Sequence, residues 1–146
     1  MKSIKLQNQD LTPAILFLKS LSVNGKATRG KQKFIERLIE KNREYAAQEQ
    51  DILKPYCRLD EGGELIVLEN GAIEFKEDTT VDQKEQLAKD REELNREEAE
   101  ISFVEHSSKY DALFQTLENW ESPIEPEYSF IYDKLMDQYE INEEGK

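Results

Sequence analysis

Leu87, Leu94 and Ile101 stand one heptad apart in a stretch otherwise crowded with charge. That spacing constrains the chain more than any other feature. A stripe this thin packs against a single partner helix and leaves the other faces to solvent. Thr80 and Gln83 supply a capping box for a helix over about 80–98. Its partner is a second helix over about 30–54, where Phe34, Ile35, Leu38, Ile39, Tyr45, Ala46, Ile52 and Leu53 recur at three- and four-residue steps. Pro55 ends that helix.

Between the two helices, Leu65–Leu68 and Ala72–Phe75 flank Asn70-Gly71. The dipeptide suits a type I′ turn and predicts a β-hairpin over about 64–75. Ile4 and Leu6 alternate with Lys5 and Gln7 as in an edge strand. Glu100–Val104 alternates through Ile101 and Phe103 and would pair with it. Thr12 and Pro13 read as the cap and first position of a helix reaching about Leu21. Ser108 and Asp111 begin another, and Glu127–Tyr139 is the last. No internal repeat stands out. The expected fold is α+β and predominantly helical. A long antiparallel helix pair (about 30–54 and 80–98) carries the hairpin, with a small helical base built from the termini. Residues 1–141 form one domain and 142–146 a flexible tail.

The chain of 146 residues carries 32 acidic and 20 basic side chains, for a formal charge of −12. Ten of the basic residues and only four of the acidic ones lie in residues 1–45. A basic head therefore precedes an acidic body, as in a molecule polar from end to end. No run of about 20 apolar residues is present, which argues against a membrane span. The N-terminus lacks the h-region of a signal peptide. Cys57 is the only cysteine, so no internal disulfide is possible.

Little in the chain suits catalysis, and no enzyme is expected. Cys57 and His106 are the only nucleophile–base pair of their kind, with no motif around either. Gly25-Lys26-Ala27-Thr28 is similar to the end of a phosphate loop, but Ser20 stands where the first glycine is required. No Cys/His set has metal spacing, and neither a metal nor another cofactor is expected. Two charged groups are candidate partner-binding sites. One is an acidic face of Asp90, Glu92, Glu93, Glu97 and Glu98, and the other a basic segment of Lys26, Arg29, Lys31 and Lys33. Carboxylates rowed along a helix imitate a phosphate backbone and suit the basic groove of a nucleic-acid enzyme. The same acids also serve solubility. Free nucleic acid is repelled by the net charge.

Leu21, Val23, Gly25-Lys26, Thr28-Arg29-Gly30, Lys33-Phe34-Ile35, Leu38-Ile39-Glu40, Asp60-Glu61-Gly62-Gly63 and Asn70-Gly71 form a pattern. It resembles small uncharacterised proteins from phages and prophages of Gram-positive bacteria, the domain-of-unknown-function family numbered 1617. The resemblance covers about residues 5–105 and implies a bacterial host cytoplasm, with no activity to transfer. The expected function is that of a non-enzymatic binder of a host or phage protein. It would occlude a host defence or nucleic-acid-handling enzyme, such as a CRISPR nuclease, with an acidic helical surface. The alternative is a structural, assembly or late-gene accessory of the phage particle, with homo-oligomer contacts through the aromatic-rich C-terminal helices.

Overall fold

The computed structural model describes residues 2–144. Its elements are β1 (Ser3–Gln7), α1 (Leu11–Ser20), α2 (Gly25–Leu53), α3 (Val81–Arg96), β2 (Glu98–Ser102), α4 (Ser107–Glu118) and α5 (Ser129–Glu144). The fold is α+β and mostly helical. It divides into two compact units, residues 1–42 with 98–146, and residues 43–97. Residues 145 and 146 of the expected tail lie outside the described residues.

In the first unit β1 and β2 pair antiparallel, with Ile4 opposite Ile101 and Leu6 opposite Ala99. These four residues are buried, while Glu98, Glu100 and Ser102 alternate outward. The strand begins two residues earlier than the alternation of Ile101 and Phe103 suggested. Phe103 still donates its N–H to the Lys2 carbonyl at 3.0 Å before the chain turns away. Phe34, Phe103, Tyr110, Phe114 and Tyr139 form a connected ring cluster with centroids 5.0–6.4 Å apart. Gly30 allows α2 to lie against α4, since a Cβ there would fall 2.1 Å from the Lys109 carbonyl oxygen. Thr12 does not cap α1. A 3-10 turn over Asn8–Asp10 runs straight into the helix, so Pro13 sits within the first turn, where its missing N–H has no intrahelical partner to lose.

The segment expected as a tail is helical through Glu144. Asn142 is tied to β1, its side-chain oxygen accepting from Ser3 N–H at 3.2 Å and its amide donating to the Ser3 carbonyl. One turn earlier, Gln138 Oε1 accepts from Lys5 N–H at 3.1 Å. Two amide side chains of α5 thus occupy the outer edge of β1.

In the second unit the last turns of α2 run antiparallel to α3. Tyr45 donates its hydroxyl hydrogen bond to Asn95, Arg91 lies 3.8 Å from Glu49, and Leu53 packs in one cluster with Leu87. Each pair of numbers has the same sum, the signature of an antiparallel register. Leu87 and Leu94 are the buried residues of α3, as the heptad spacing predicts, and the capping box of Thr80 and Gln83 is formed. Ile101 belongs to β2 instead.

The expected hairpin is one part of a three-segment β cap over 56–60, 64–68 and 72–76. Its bridges are Cys57 with Phe75, Leu59 with Leu65, and Val67 with Ile73, all antiparallel. Three strands in a flat sheet cannot all be mutually antiparallel. The segments therefore meet around a common axis, each pair touching at one bridge. Arg58 N–H donates to Glu74, Glu74 to Ile66 and Ile66 back to Arg58, closing a ring of main-chain hydrogen bonds. Turns recur at the same interval, with Gly63 N–H bonded to Asp60, Gly71 to Leu68 and Thr79 to Lys76. An eight-residue structural repeat is thus present. Its sequence trace is Cys57, Leu65, Ile73 and Leu59, Val67, Phe75. The Asn-Gly turn is not type I′, because Gly71 alone takes a positive φ there. Asn70 instead accepts from Ala72 N–H at 3.0 Å, stabilising the turn through its side chain.

The basic head does not remain apart. Residues 1–42 fold with acidic residues 98–146, through Lys2–Asp111 (3.1 Å), Arg37–Glu105 (2.7 Å) and Lys134–Asp10 (2.7 Å). The second unit, with sixteen acidic and eight basic residues, is the more strongly negative per residue.

Candidate functional site

Three of the five proposed acidic-face residues, Asp90, Glu92 and Glu93, lie on α3, and Glu97 is its extended C-cap. Glu92, Glu93 and Glu97 are exposed and share a shallow outer surface with Ala88, Lys89 and Arg96. Arg96 pairs with Glu92 at 2.8 Å, so the row is interrupted by cations. Asp90 sits at the shoulder of the helix, half-buried and accepting from Gln86 at 2.9 Å. Glu98 is not part of this face: it opens β2, opposite Gln7. The helix ends at Arg96 because the backbone of Glu97 turns extended.

The basic segment occupies the first turns of α2 without forming one patch. Lys31 Nζ donates to the Leu21 carbonyl at 2.7 Å and serves the α1–α2 connection. Lys33 lies 3.9 Å from Glu36. Lys26 lines an open groove with Asn24, Gln115 and Trp120, and Arg29 is exposed. No phosphate loop is present, since Gly25 and Lys26 are already helical.

Sequence reasoning missed a cleft of about 400 Å³ in the first unit. Arg37, Glu40 and Lys41 of α2 line it, with Glu100–Ser102 of β2 and Glu105, His106 and Tyr110 beyond. Arg37 donates to Glu40 at 3.1 Å and to Glu105 at 2.7 Å, and the Glu40 carboxylate raises its pKa above the usual guanidinium value. Tyr110 is 1% exposed, and its hydroxyl has no hydrogen-bond partner among the described residues. Burial pushes this phenol up, and the neighbouring Arg37 charge partly opposes it. The cleft's mixed charge, from Arg37, Glu40, Lys41 and Glu105, suits a polar partner. The signal for this site in the sequence was scattered over three elements and could not be assembled without the fold.

Cys57 is fully buried against Leu53 and Leu87, and burial raises its thiol pKa, which disfavours the nucleophilic thiolate. His106 precedes α4, its ring edge-on to Tyr110 with centroids 5.7 Å apart. The two belong to different units, and each is accounted for by its own surroundings. No group of three or more His, Cys, Asp or Glu side chains able to hold a metal occurs among the described residues. No helix there is long and apolar enough to cross a membrane.

The family profile described as "Protein of unknown function (DUF1617)" matches residues 2–146. The chain belongs to this family. The DUF1617 match extends on both sides of the region over which the sequence pattern was recognised, and includes α4 and α5. No curated protein and no solved structure matches the chain. The DUF1617 family description carries no activity, so function rests on the surfaces described above.

Proposed function

We propose that this chain is a phage- or prophage-encoded, non-enzymatic module that binds a protein of its bacterial host in the cytoplasm and occludes it. The target is an enzyme that handles nucleic acid or serves defence, a CRISPR nuclease being one such enzyme. The observation that carries this reading is the charge of residues 43–97, where acidic residues outnumber basic ones two to one. α3 buries Leu87 and Leu94 and turns Glu92 and Glu93 outward, and Glu97 is exposed just past its end. Such a face complements a groove lined with lysine and arginine and speeds encounter with it. Leu59, Val67 and Leu68 of the β cap are exposed beside Asp60, Glu64 and Glu69. Apolar residues within a polar surround are the usual anatomy of a protein interface.

Pull-down from host lysate, at low and high salt, tests the proposal with the wild type and a Glu92→Lys/Glu93→Lys/Glu97→Lys variant. A partner retained at low salt by the wild type and lost by the variant supports it. Identical retention by both proteins would sink it.

A second reading, a structural or late-gene accessory of the particle, draws on α5. Phe130 and Ile141 are exposed there, three turns apart on one side. Mass spectrometry of purified particles discriminates between the two readings, since an accessory of the particle co-purifies with it.

A further inference from the structure

The two edges of the β1–β2 sheet are treated differently. Adjacent pairs in an antiparallel ladder alternate between hydrogen-bonded and non-hydrogen-bonded. The Phe103 N–H to Lys2 bond fixes the phase. Ile4 with Ile101 and Leu6 with Ala99 are then the bonded pairs, whereas Lys5 with Glu100 and Gln7 with Glu98 turn their main-chain groups outward. The hydrogen bonds from Ser3 and Lys5 to Asn142 and Gln138 agree with this phase and fill the outer edge of β1. On β2 nothing equivalent exists at Glu100, whose outward N–H and C=O have no hydrogen-bond partner among the described residues.

We propose that this outer edge of β2 is a docking edge for an extended segment of a partner protein carrying lysine or arginine at alternate positions. An incoming strand would continue the sheet through main-chain hydrogen bonds, with alternate side chains supplying specificity. Two observations converge on that occupant. Glu98 and Glu100 both project from the exposed face of β2. β1 already shows which side chain suits that row, since Lys5 stands opposite Glu100. A second copy of this chain is disfavoured, because its acidic edge would face an acidic edge. Acidic side chains on an open edge also prevent indiscriminate pairing, so the same residues reject most strands and admit basic ones. This site lies in the first unit and does not depend on the α3 face.

The test uses the full chain and four capped eight-residue peptides, followed by fluorescence anisotropy and amide chemical shifts. One alternates lysine with valine, two are the same peptide N-methylated at every other main-chain nitrogen in one or the other register, and the fourth replaces lysine by glutamate. The lysine peptide is expected to bind and to shift amides of Glu98–Ser102. Methylation in one register should weaken it at least tenfold, and the glutamate peptide should not bind. Glu98→Lys/Glu100→Lys should weaken binding at least tenfold. Absence of binding, equal binding of the peptide methylated in either register, or shifts confined to α3 would each overturn the proposal.

Discussion

Tyr110 keeps a hydroxyl in the core without a hydrogen bond, in contact with the rings of Phe34, Phe103 and His106. An unsatisfied buried donor is costly, and replacing it with an apolar group of the same shape is close to neutral. Tyr110→Phe is therefore expected to change stability by less than about 1 kcal/mol in urea titration. The same burial sets a pH response. Tyr45, Tyr110 and Tyr132 are raised from 10.0, and Cys57 from 9.0, in each case first by burial. The unfolded chain loses these protons at lower pH than the folded one. Their stabilising contribution is complete below about pH 9 and is lost as pH climbs through the raised values. Thermal melts between pH 7 and 11 should show the decline, with a shallower slope for Tyr110→Phe. Gly30, by contrast, tolerates no side chain. A methyl group there meets the Lys109 backbone, which has no flexible end to move aside. Gly30→Ala should cost about 2 kcal/mol or more by overpacking, visible as a lower denaturation midpoint.

At the scale of elements, α3 shows how sequence signals and tertiary demands divide the work. Its cap is local chemistry: Thr80 accepts from Gln83 N–H at 3.1 Å, and Gln83 accepts from Thr80 N–H at 2.9 Å. Thr80→Ala should cost about 1 kcal/mol, measured by circular dichroism during urea unfolding. Cap and stripe were both legible because each depends on residues a few positions apart. The pairing of β1 with β2 was legible in outline from alternation. Its start was not, because Ala99 is a weak apolar signal and the ladder runs to it. The eight-residue repeat of the β cap escaped notice because Cys57, Leu65 and Ile73 share burial without sharing identity. The cleft was illegible for a different reason. Arg37, Glu105 and Tyr110 are adjacent only after α2 and α4 have packed through Gly30.

On the scale of the whole molecule, the two units have unequal cores. The first contains a cluster of aromatic rings and most of the fully buried side chains. The second buries Leu53, Cys57 and Leu87 with partly exposed neighbours such as Tyr56 and Phe75. Free energies of local opening follow such differences in burial. Leu87→Ala, expected to cost about 2–5 kcal/mol, should remove amide protection from residues 43–97 and leave residues 3–20 and 107–139 protected. Hydrogen exchange followed by mass spectrometry reads both outcomes, and uniform loss across the chain would contradict this division. The charge pattern is likewise a property of the whole. Counting along the chain suggested two opposite ends, but folding returns the basic residues 1–42 to the acidic residues 98–146 and leaves residues 43–97 to set the charge of their own unit.

The ring through Arg58, Ile66 and Glu74 has a consequence for how this protein can vary. In an ordinary hairpin a longer turn changes one loop and leaves the ladder intact. Here each segment gives one hydrogen bond of the ring and receives another, so a change in spacing at any turn displaces both. The cap is a fixed-length device. Side chains at its turns are free to change, whereas insertion or deletion of one residue between positions 58 and 74 is forbidden unless the whole ring is rebuilt.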